Sequence, residues 1–328
     1  MNQRTPIVVT GGAGYIGSHT CKALAAAGFE PVSFDSLVNG HRELVRWGPF
    51  EAGDLLDPRS IRAVLERYAP AAVVHFAAFA YVGQSVREPA AYYRNNVAGT
   101  LNLLDAMVAA GTARIVFSST CAVYGEPERM PITEDVMARP VNPYGRTKLA
   151  VEGMLADFGA AYGIESVCLR YFNAAGADPE AETGEDHRPE THLVPLVLDA
   201  AAGRRPSVTV NGTDYATPDG TCIRDFIHVS DLAGAHVLAV EHLLAGGGSE
   251  VVNLGSGRGA SVREVIETAR AVTGREIRVE TGPRRPGDPP VLIGSWRKAE
   301  RVLRWRPLRS DMETIIADAW RWHRKRFA

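Results

Sequence analysis

Three glycines, each three residues from the next, separate an apolar run from a helical pattern near the amino terminus. Residues 6–10 (Pro-Ile-Val-Val-Thr) predict a short buried strand, and the pattern after the glycines predicts a helix that ends near Gly28. Gly11, Gly14 and Gly17 lie between these two elements. Backbone amides at such a turn hold a pyrophosphate, which approaches closely where side chains are missing. The spacing therefore predicts a parallel α/β fold that binds a dinucleotide.

An acidic residue after the second predicted strand indicates which dinucleotide is bound. Residues 31–34 predict this strand, and Asp35 follows it. An acid about twenty residues after the glycine motif hydrogen-bonds a ribose diol and repels a 2′-phosphate. Asp35 therefore favours NAD over NADP.

Strand and helix patterns then alternate along the chain, which predicts a doubly wound sheet. Residues 72–76 and 114–118 predict further strands, and residues 92–110 predict a long helix between them. Ser118, Ser119 and Thr120 follow the later strand, on the side of a parallel sheet where ligands bind. A hydroxyl of Ser119 or Thr120 is placed to bond a substrate hydroxyl, although turn chemistry also explains such a run.

Tyr144 and Lys148 are the strongest sign of catalysis. A spacing of four places both side chains on one face of the helix that Pro143 begins. A lysine ammonium near the phenol, together with a cationic nicotinamide ring, should lower the tyrosine pKa, which is normally about 10. The phenolate would then act as a general base toward a hydroxyl. Lysine occurs at only four positions (22, 148, 298 and 325) among 36 Lys plus Arg, which favours a specific role for Lys148.

Composition argues against several other classes of protein. The formal net charge of −2 gives no reason to expect nucleic acid or a membrane surface as a partner. The four cysteines lie far apart and the nine histidines form no H-E-x-x-H motif, so we expect neither a metal site nor a disulfide framework. The first strand begins almost at Met1, and no apolar run approaches membrane-spanning length. We therefore expect a cytoplasmic enzyme.

Together these motifs resemble the extended short-chain dehydrogenase/reductase family, and within it the UDP-sugar 4-epimerases. The resemblance extends over nearly the whole chain, and its later segments are more specific than the glycine loop. The matching segments are residues 9–19, 75–78, 92–97, 118–125, 169–173, 219–229 and 283–288.

The resemblance implies a role for each matching residue. The implied catalytic group is Thr120, Tyr144 and Lys148. The implied NAD-binding residues are Gly11, Gly14, Tyr15, Ile16, Gly17, Asp35, Ser36, Leu37, Asn39, Gly40, Asp54, Leu55, Phe76, Ala77, Ala78, Ala80, Asn95, Ser118, Tyr144, Lys148 and Phe172. The implied substrate-binding residues are Thr120, Asn173, His192, Leu193, Asn211, Arg224, Arg285 and Asp288.

The implied reaction is NAD-dependent inversion at C4, which interconverts UDP-galactose and UDP-glucose through a transient 4-keto sugar, with Tyr144 as base. Ala80, His192 and Asn211 differ from the residues of some relatives, so the last two contacts with uridine stay open. A UDP-xylose/UDP-arabinose 4-epimerase, or an enzyme with both activities, is the nearest alternative. A catalytically silent NAD-binding scaffold is an alternative from another class, although such proteins usually lose the tyrosine or the lysine.

The resemblance also predicts the division of the chain. Residues 1–173 should form the NAD-binding Rossmann-type domain, with residues 226–258 returning to it. Residues 174–225 and 259–328 should form a smaller mixed α/β lobe that binds the nucleotide sugar. Relatives usually form homodimers through two long helices, which here would be residues 92–110 and the helix that contains Tyr144.

Overall fold

A parallel seven-stranded sheet forms the centre of the chain. The computed structural model describes residues 4–285 and 288–328. Within these residues the strands are β1 Pro6–Thr10, β2 Glu30–Asp35, β3 Phe50–Ala52, β4 Ala72–His75, β5 Arg114–Ser118, β6 Glu165–Tyr171, β7 Asn173–Ala175, β8 Val208–Asn211, β9 Ile223–Arg224, β10 Phe226–His228, β11 Glu250–Leu254, β12 Ala260–Ser261, β13 Val279–Gly282 and β14 Val291–Leu292. The order across the large sheet is β11-β6-β5-β4-β1-β2-β3. Because the order reverses between β1 and β4, a crevice for ligands opens at the carboxyl ends of these strands.

Helices cover both faces of this sheet. The described helices are α1 Tyr15–Ala26, α2 Pro58–Tyr68, α3 Val82–Arg87, α4 Pro89–Tyr92, α5 Gly99–Ala110, α6 Pro143–Tyr162, α7 Leu193–Ala201, α8 Val229–Leu244, α9 Val262–Thr273, α10 Arg297–Leu303 and α11 Met312–Phe327. Alternate residues of β1 point to opposite faces, so Ile7 and Val9 pack with α1 and α8 while Val8 packs with α2, α5 and α6. Burial on both faces explains the continuous apolar strands. The expected α/β class and doubly wound sheet are confirmed.

The long helix that the sequence predicts over residues 92–110 is interrupted. Residues Tyr93–Ala98 form a π-helical turn between α4 and α5. Such a turn inserts an extra residue into the helical ladder and often occurs at functional sites. It contains both Asn95 and the buried Asn96.

The second lobe has a separate apolar core. Helices α7, α9 and α11 pack there with strands β8 and β10 around Val197, Val265 and Ile315. Ser261 caps α9 and Glu264 completes the capping box. Strand β10 pairs with β7 in parallel, and β11 pairs with β6 in the large sheet. The chain therefore passes between the two lobes several times.

None of the helices in the described residues is sufficiently long and apolar to cross a membrane.

Candidate active site

The glycine turn after β1 is built for close backbone approach. A Cβ atom on Gly17 would lie 2.1 Å from the Gly11 carbonyl oxygen, and one on Gly11 would lie 2.8 Å from the Ala77 nitrogen. Gly14 is the N-cap of α1, and no side chain among the described residues caps this helix start. Its first amides are therefore available to an anion, and the turn fits a dinucleotide pyrophosphate.

Asp35 is the last residue of β2, beside this turn. Its Oδ2 accepts a hydrogen bond from the Ala13 amide at 3.0 Å, and its Oδ1 accepts one from the Leu37 amide at 2.8 Å. Burial raises the pKa of Asp35 above its usual value. A carboxylate has about four lone-pair positions, so both oxygens keep acceptor capacity for a ribose diol. The predicted ribose contact fits this geometry.

The π-helical turn fixes the segment after β4. Asn96 accepts from the Phe79 amide at 2.8 Å and donates to the Phe79 carbonyl oxygen at 3.0 Å. Asn95 donates to the Asn96 side chain at 3.0 Å. The sequence predicted a cofactor role for Asn95, whereas Asn96 is the residue that holds the 76–80 segment in place. Two adjacent asparagines inside an apolar helical pattern are the sequence feature that could have predicted this role of Asn96.

The other predicted cofactor residues lie around the same edge of the sheet. Ser36, Leu37, Asn39 and Gly40 follow β2, and Asp54 and Leu55 follow β3. Tyr15 and Ile16 begin α1, and the Tyr15 hydroxyl donates to the Gly176 carbonyl oxygen at 2.6 Å. Phe76, Ala77, Ala78 and Ala80 follow β4, and Phe172 lies between β6 and β7.

Tyr144, Lys148 and the end of β5 meet where this crevice closes. Lys148 is 3% exposed, and its Nζ donates to the Ser118 carbonyl oxygen at 2.7 Å. The same Nζ lies 4.8 Å from the centre of the Phe117 ring. Tyr144 lies one turn earlier on α6, in the first turn that Asn142 caps. The hydroxyl of Thr120 lies close enough to the Tyr144 phenol to lower its pKa, and Lys148 follows Tyr144 by one turn of α6.

Without NAD, the pKa of Tyr144 is raised and not lowered. Burial, and to a smaller extent the nearby Tyr171, raise the pKa of Tyr144 well above its usual value, and the Thr120 hydroxyl opposes only part of this change. Burial also lowers the pKa of Lys148 to about 7, although the Glu152 carboxylate opposes this change. The tyrosine is therefore a neutral phenol in this state. The predicted activation needs the positive charge of the nicotinamide as well as the lysine.

Glu152 connects α6 to the end of β5, a role that the sequence did not predict. The Oε1 atom of Glu152 accepts from the Ser119 hydroxyl at 2.5 Å and from the Nε atom of Arg170 at 2.9 Å. The side chains of Glu152 and Arg170 are only 7% and 9% exposed. Ser119 is therefore turned toward Glu152, which leaves Thr120 as the hydroxyl beside Tyr144. The spacing of four from Lys148 to Glu152 was the available signal.

We expect Glu152→Ala to lower the free energy of unfolding by about 3 kcal/mol, because it leaves the buried Arg170 guanidinium without its carboxylate. Urea unfolding measures this change. The matched control is Glu66→Ala, which breaks the exposed Arg62–Glu66 pair on α2 and should cost at most about 0.5 kcal/mol. Equal losses in the two variants would contradict the assigned importance of the buried pair.

The predicted substrate residues form three separate groups. Arg224 pairs with Asp288, and Asn211 accepts from Arg285 Nε at 3.2 Å when its side-chain amide is rotated by 180°. Asn173 donates to the Asp225 carbonyl oxygen at 3.0 Å. His192 directs Nδ1 to Glu185 at 2.5 Å, and Leu193 begins α7. Pro286 and Gly287 of the predicted 283–288 motif lie outside the described residues.

A cavity of about 560 Å³ borders the first of these groups. Arg285 and Asp288 line it together with Arg284, Met130 and Glu128. Two arginines suit the phosphates of a nucleotide sugar, although three carboxylates, those of Glu126, Glu128 and Asp288, also line the cavity. The residues that line it do not include Tyr144, so the cavity does not extend to the Tyr144 phenol.

Comparison with known proteins identifies the family. The sequence model of the NAD dependent epimerase/dehydratase family matches residues 7–255. The chain belongs to this family. Members of the family are NAD-dependent enzymes, and the matched residues include the glycine turn, Asp35, Thr120, Tyr144 and Lys148.

Individual relatives of this family cover almost the entire chain. A UDP-glucose 4-epimerase of Rhizobium meliloti (strain 1021) is 52% identical over 324 residues, which are 99% of this chain and 98% of the relative. The crystal structure of UDP-glucose 4-epimerase from Brucella ovis in complex with NAD is 55% identical, has a TM-score of 0.95 and covers 97% of this chain and 98% of its own. A UDP-glucose-4-epimerase from Stenotrophomonas maltophila with bound NAD and formylated UDP-arabinopyranose is 40% identical, with a TM-score of 0.95 and coverage of 98% and 99%.

Proposed function

We propose that this chain is an NAD-dependent UDP-sugar 4-epimerase that interconverts UDP-galactose and UDP-glucose. The observations that support the proposal are that Tyr144 lies beside the Thr120 hydroxyl and one helical turn before the buried Lys148, whose Nζ donates to the Ser118 carbonyl oxygen at the carboxyl end of β5. Two relatives that are named UDP-glucose 4-epimerase, 52% and 54% identical to this chain in sequence, support the same reaction.

Each residue of the group has one task in this reaction. Thr120 and Tyr144 bond the sugar 4-hydroxyl, and Tyr144 takes its proton. Lys148, held by the Ser118 carbonyl oxygen, supplies positive charge near the phenol and bonds the nicotinamide ribose. NAD⁺, when bound beside these residues, would supply the acceptor for the C4 hydride, and its reduced form would be the donor for the return of the hydride.

The nucleotide must stay bound while the 4-keto sugar turns. We assign this anchoring to Arg224, Arg285 and Asp288, with Asn173, His192, Leu193 and Asn211 around the nucleotide. Guanidinium groups match a diphosphate through paired hydrogen bonds, so Arg224 and Arg285 suit this task. In the free chain Arg224 already pairs with Asp288, which orients the guanidinium before substrate arrives.

The division of the chain remains part of this proposal. Residues 1–173 and 226–258 would bind NAD, and residues 174–225 and 259–328 would bind the nucleotide sugar. Strand β11 in the large sheet and the separate core around Val197 support this assignment.

The pentose substrate is a second candidate. The solved relative from Stenotrophomonas maltophila carries a formylated UDP-arabinopyranose, which is a pentose nucleotide. A pentose lacks only the 6-hydroxymethyl group of the hexose, and rejection of a substrate for a missing small group is weak unless its hydroxyl is tightly bonded.

The test is inversion at C4 without added NAD. We expect the purified protein to convert UDP-galactose to UDP-glucose, with proton NMR following the anomeric signals, because the cofactor is retained from expression. A parallel reaction with UDP-arabinopyranose measures the pentose activity. Turnover of the pentose alone would replace the hexose assignment, and no turnover of either sugar with NAD supplied would revive the silent scaffold.

We also infer a homodimer formed through α5 and α6. Tyr93, Leu101, Val108 and Tyr162 of this region are each 39–60% exposed, which is unusual for large apolar side chains on an isolated surface. Sedimentation equilibrium measures the state of the protein, and a single chain at micromolar concentration would contradict the inference.

We further propose that the enzyme works in the cytoplasm. The four cysteines are free thiols in the structure, and three of them are buried. A reducing compartment suits such thiols. Cell fractionation tests this assignment, and recovery of the protein outside the cytoplasm would contradict it.

A further inference from the structure

The loop between β7 and α7 carries four side chains whose donor atoms converge. The carboxylates of Glu185 and Glu190 and the imidazoles of His187 and His192 have donor atoms that all lie within 4.8 Å of one another. The loop residues follow one another at spacings of two, three and two. The segment contains neither an H-E-x-x-H motif nor a pair of cysteines, so its sequence did not predict a metal site.

Four of the separations among these groups, with either oxygen of Glu190 counted, lie within about 1 Å of those in a tetrahedral metal site. His187 Nδ1 lies 3.1 Å from Glu185 Oε1 and 3.7 Å from Glu190 Oε2, and His192 Nδ1 lies 3.4 Å from Glu190 Oε1. Bonds of about 2.0–2.1 Å to zinc place tetrahedral ligands roughly 3.3 Å apart. The contact between His192 and Glu185 at 2.5 Å is shorter and would have to open by less than about 1 Å.

Two features of the cluster favour a bound cation. The side chain of Glu185 is 6% exposed and that of Glu190 is 13% exposed, so two carboxylates lie together away from water. His187 Nδ1 is buried and points into the cluster, yet it has no partner of acceptable hydrogen-bond geometry within residues 4–285 and 288–328. A ligand between the four groups would satisfy this nitrogen.

We propose that Glu185, His187, Glu190 and His192 form a structural site for one Zn²⁺ ion. Two imidazole nitrogens and two carboxylate oxygens are ligands that zinc accepts, and the negative charge of two carboxylates balances the positive charge of the ion. Four protein ligands leave no open position, which is typical of a structural and not a catalytic site. His192 would bind the ion through Nδ1, which leaves its Nε2 for the nucleotide contact assigned above, so the two proposals are compatible.

The position of the cluster indicates what the ion would stabilise. The ring of His187 packs edge-on against Tyr15 at 6.2 Å and against Tyr81 at 6.1 Å between ring centres. Tyr15 begins α1 and Tyr81 precedes α3, so the site would fasten the loop of the second lobe to the cofactor side of the crevice.

A second group of acids on the same segment serves as an internal comparison. Asp178, Glu180 and Glu182 also converge, but Lys22 already lies among them, with Nζ at 2.9, 2.7 and 2.8 Å from their oxygens. Because the Lys22 ammonium already neutralises part of this group, we propose no metal ion there. The cluster at 185–192 has no lysine or arginine at its centre among the described residues, so only a bound ion or two protonated imidazoles can neutralise it.

The test is titration of the NAD-containing protein with Zn²⁺ after treatment with a chelator. We expect one Zn²⁺ per chain by mass spectrometry and a Kd below about 1 µM by calorimetry. Replacement of the ion by Co²⁺ should give the visible absorption of a four-coordinate site. Glu185→Gln and His187→Asn should each weaken binding by at least a hundredfold, while Glu180→Gln, in the group that Lys22 occupies, should leave it unchanged.

Each contrary result overturns the proposal. If the wild-type protein binds less than one ion per five chains at 100 µM Zn²⁺, roughly a hundred times the expected Kd, the imidazoles are protonated instead. If Glu185→Gln and His187→Asn both bind normally, the ion lies elsewhere. The stoichiometry of the wild-type protein needs no variant, so misfolding of a variant does not leave the proposal untested. Loss of binding with normal epimerase activity would separate this inference from the proposed function.

Discussion

Tyr144→Phe should reduce kcat for UDP-galactose by at least about a thousandfold, because it removes only the hydroxyl that takes the proton of the sugar. The variant keeps the ring that packs in the first turn of α6, so the fold and the bound NAD should be retained. Turnover is measured by NMR, and NAD content is measured by absorbance after release from the protein. Substrate binding should change little, since Thr120 still bonds the 4-hydroxyl.

The matched control for this variant is Tyr162→Phe. Tyr162 ends the same helix, at the opposite end from Tyr144, so loss of its hydroxyl should leave kcat unchanged. A Tyr144→Phe enzyme with the wild-type rate would disprove the role of the phenol as base. Similar losses in both variants would indicate a general effect on α6 and not proton transfer.

Lys148→Met should change how the free energy of unfolding depends on pH. In the NAD-free chain burial lowers the pKa of Lys148 from 10.5 to about 7. Between these values the unfolded chain binds a proton that the folded chain does not, so the free energy of unfolding rises with pH. The shift corresponds to a gain on the order of 4 kcal/mol between pH 7 and pH 10. Lys148→Met should remove this gain, and it should also reduce kcat by at least about a hundredfold.

Urea unfolding of NAD-free protein at several pH values checks this expectation. The quantity to compare is the difference in unfolding free energy between the wild type and the variant, because it cancels other groups that titrate. Lys298→Met is the control, since Lys298 is 25% exposed and pairs with Glu250. A difference between wild type and Lys148→Met that stays constant from pH 7 to pH 10 would show that Lys148 is not desolvated as the structure indicates.

Local patterns along the chain were sufficient to predict most of the fold. The apolar runs at residues 6–10 and 114–118 became β1 and β5 because parallel strands are covered on both faces. Ser261 and Glu264 begin α9 because a capping box acts within one helical turn. The π-helical turn at Tyr93–Ala98 was missed, since it depends on how Asn96 bonds the distant Phe79 segment.

The composition of the site was predictable, whereas its electrostatics were not. The spacing of Tyr144 and Lys148 and the position of Thr120 after β5 are local features. The direction of the Tyr144 pKa depends on burial and on Tyr171, which reaches the site from another strand. The choice between Ser119 and Thr120 depends on Glu152, 33 residues from Ser119 along the chain. Such partners are set by packing and not by sequence spacing.

The repeated passage of the chain between its two lobes has a consequence for evolution and engineering. Strand β7 leads out of the large sheet, β10 lies beside β7, and β11 completes the sheet edge before the chain leaves again. Neither lobe is therefore formed by one continuous segment of the chain. Recombination that exchanges sugar preference between relatives would need several crossover points, and a fragment that ends after residue 173 would lack both β11 and the α8 cover of the sheet. Specificity in this architecture changes more readily through point substitutions than through exchange of modules.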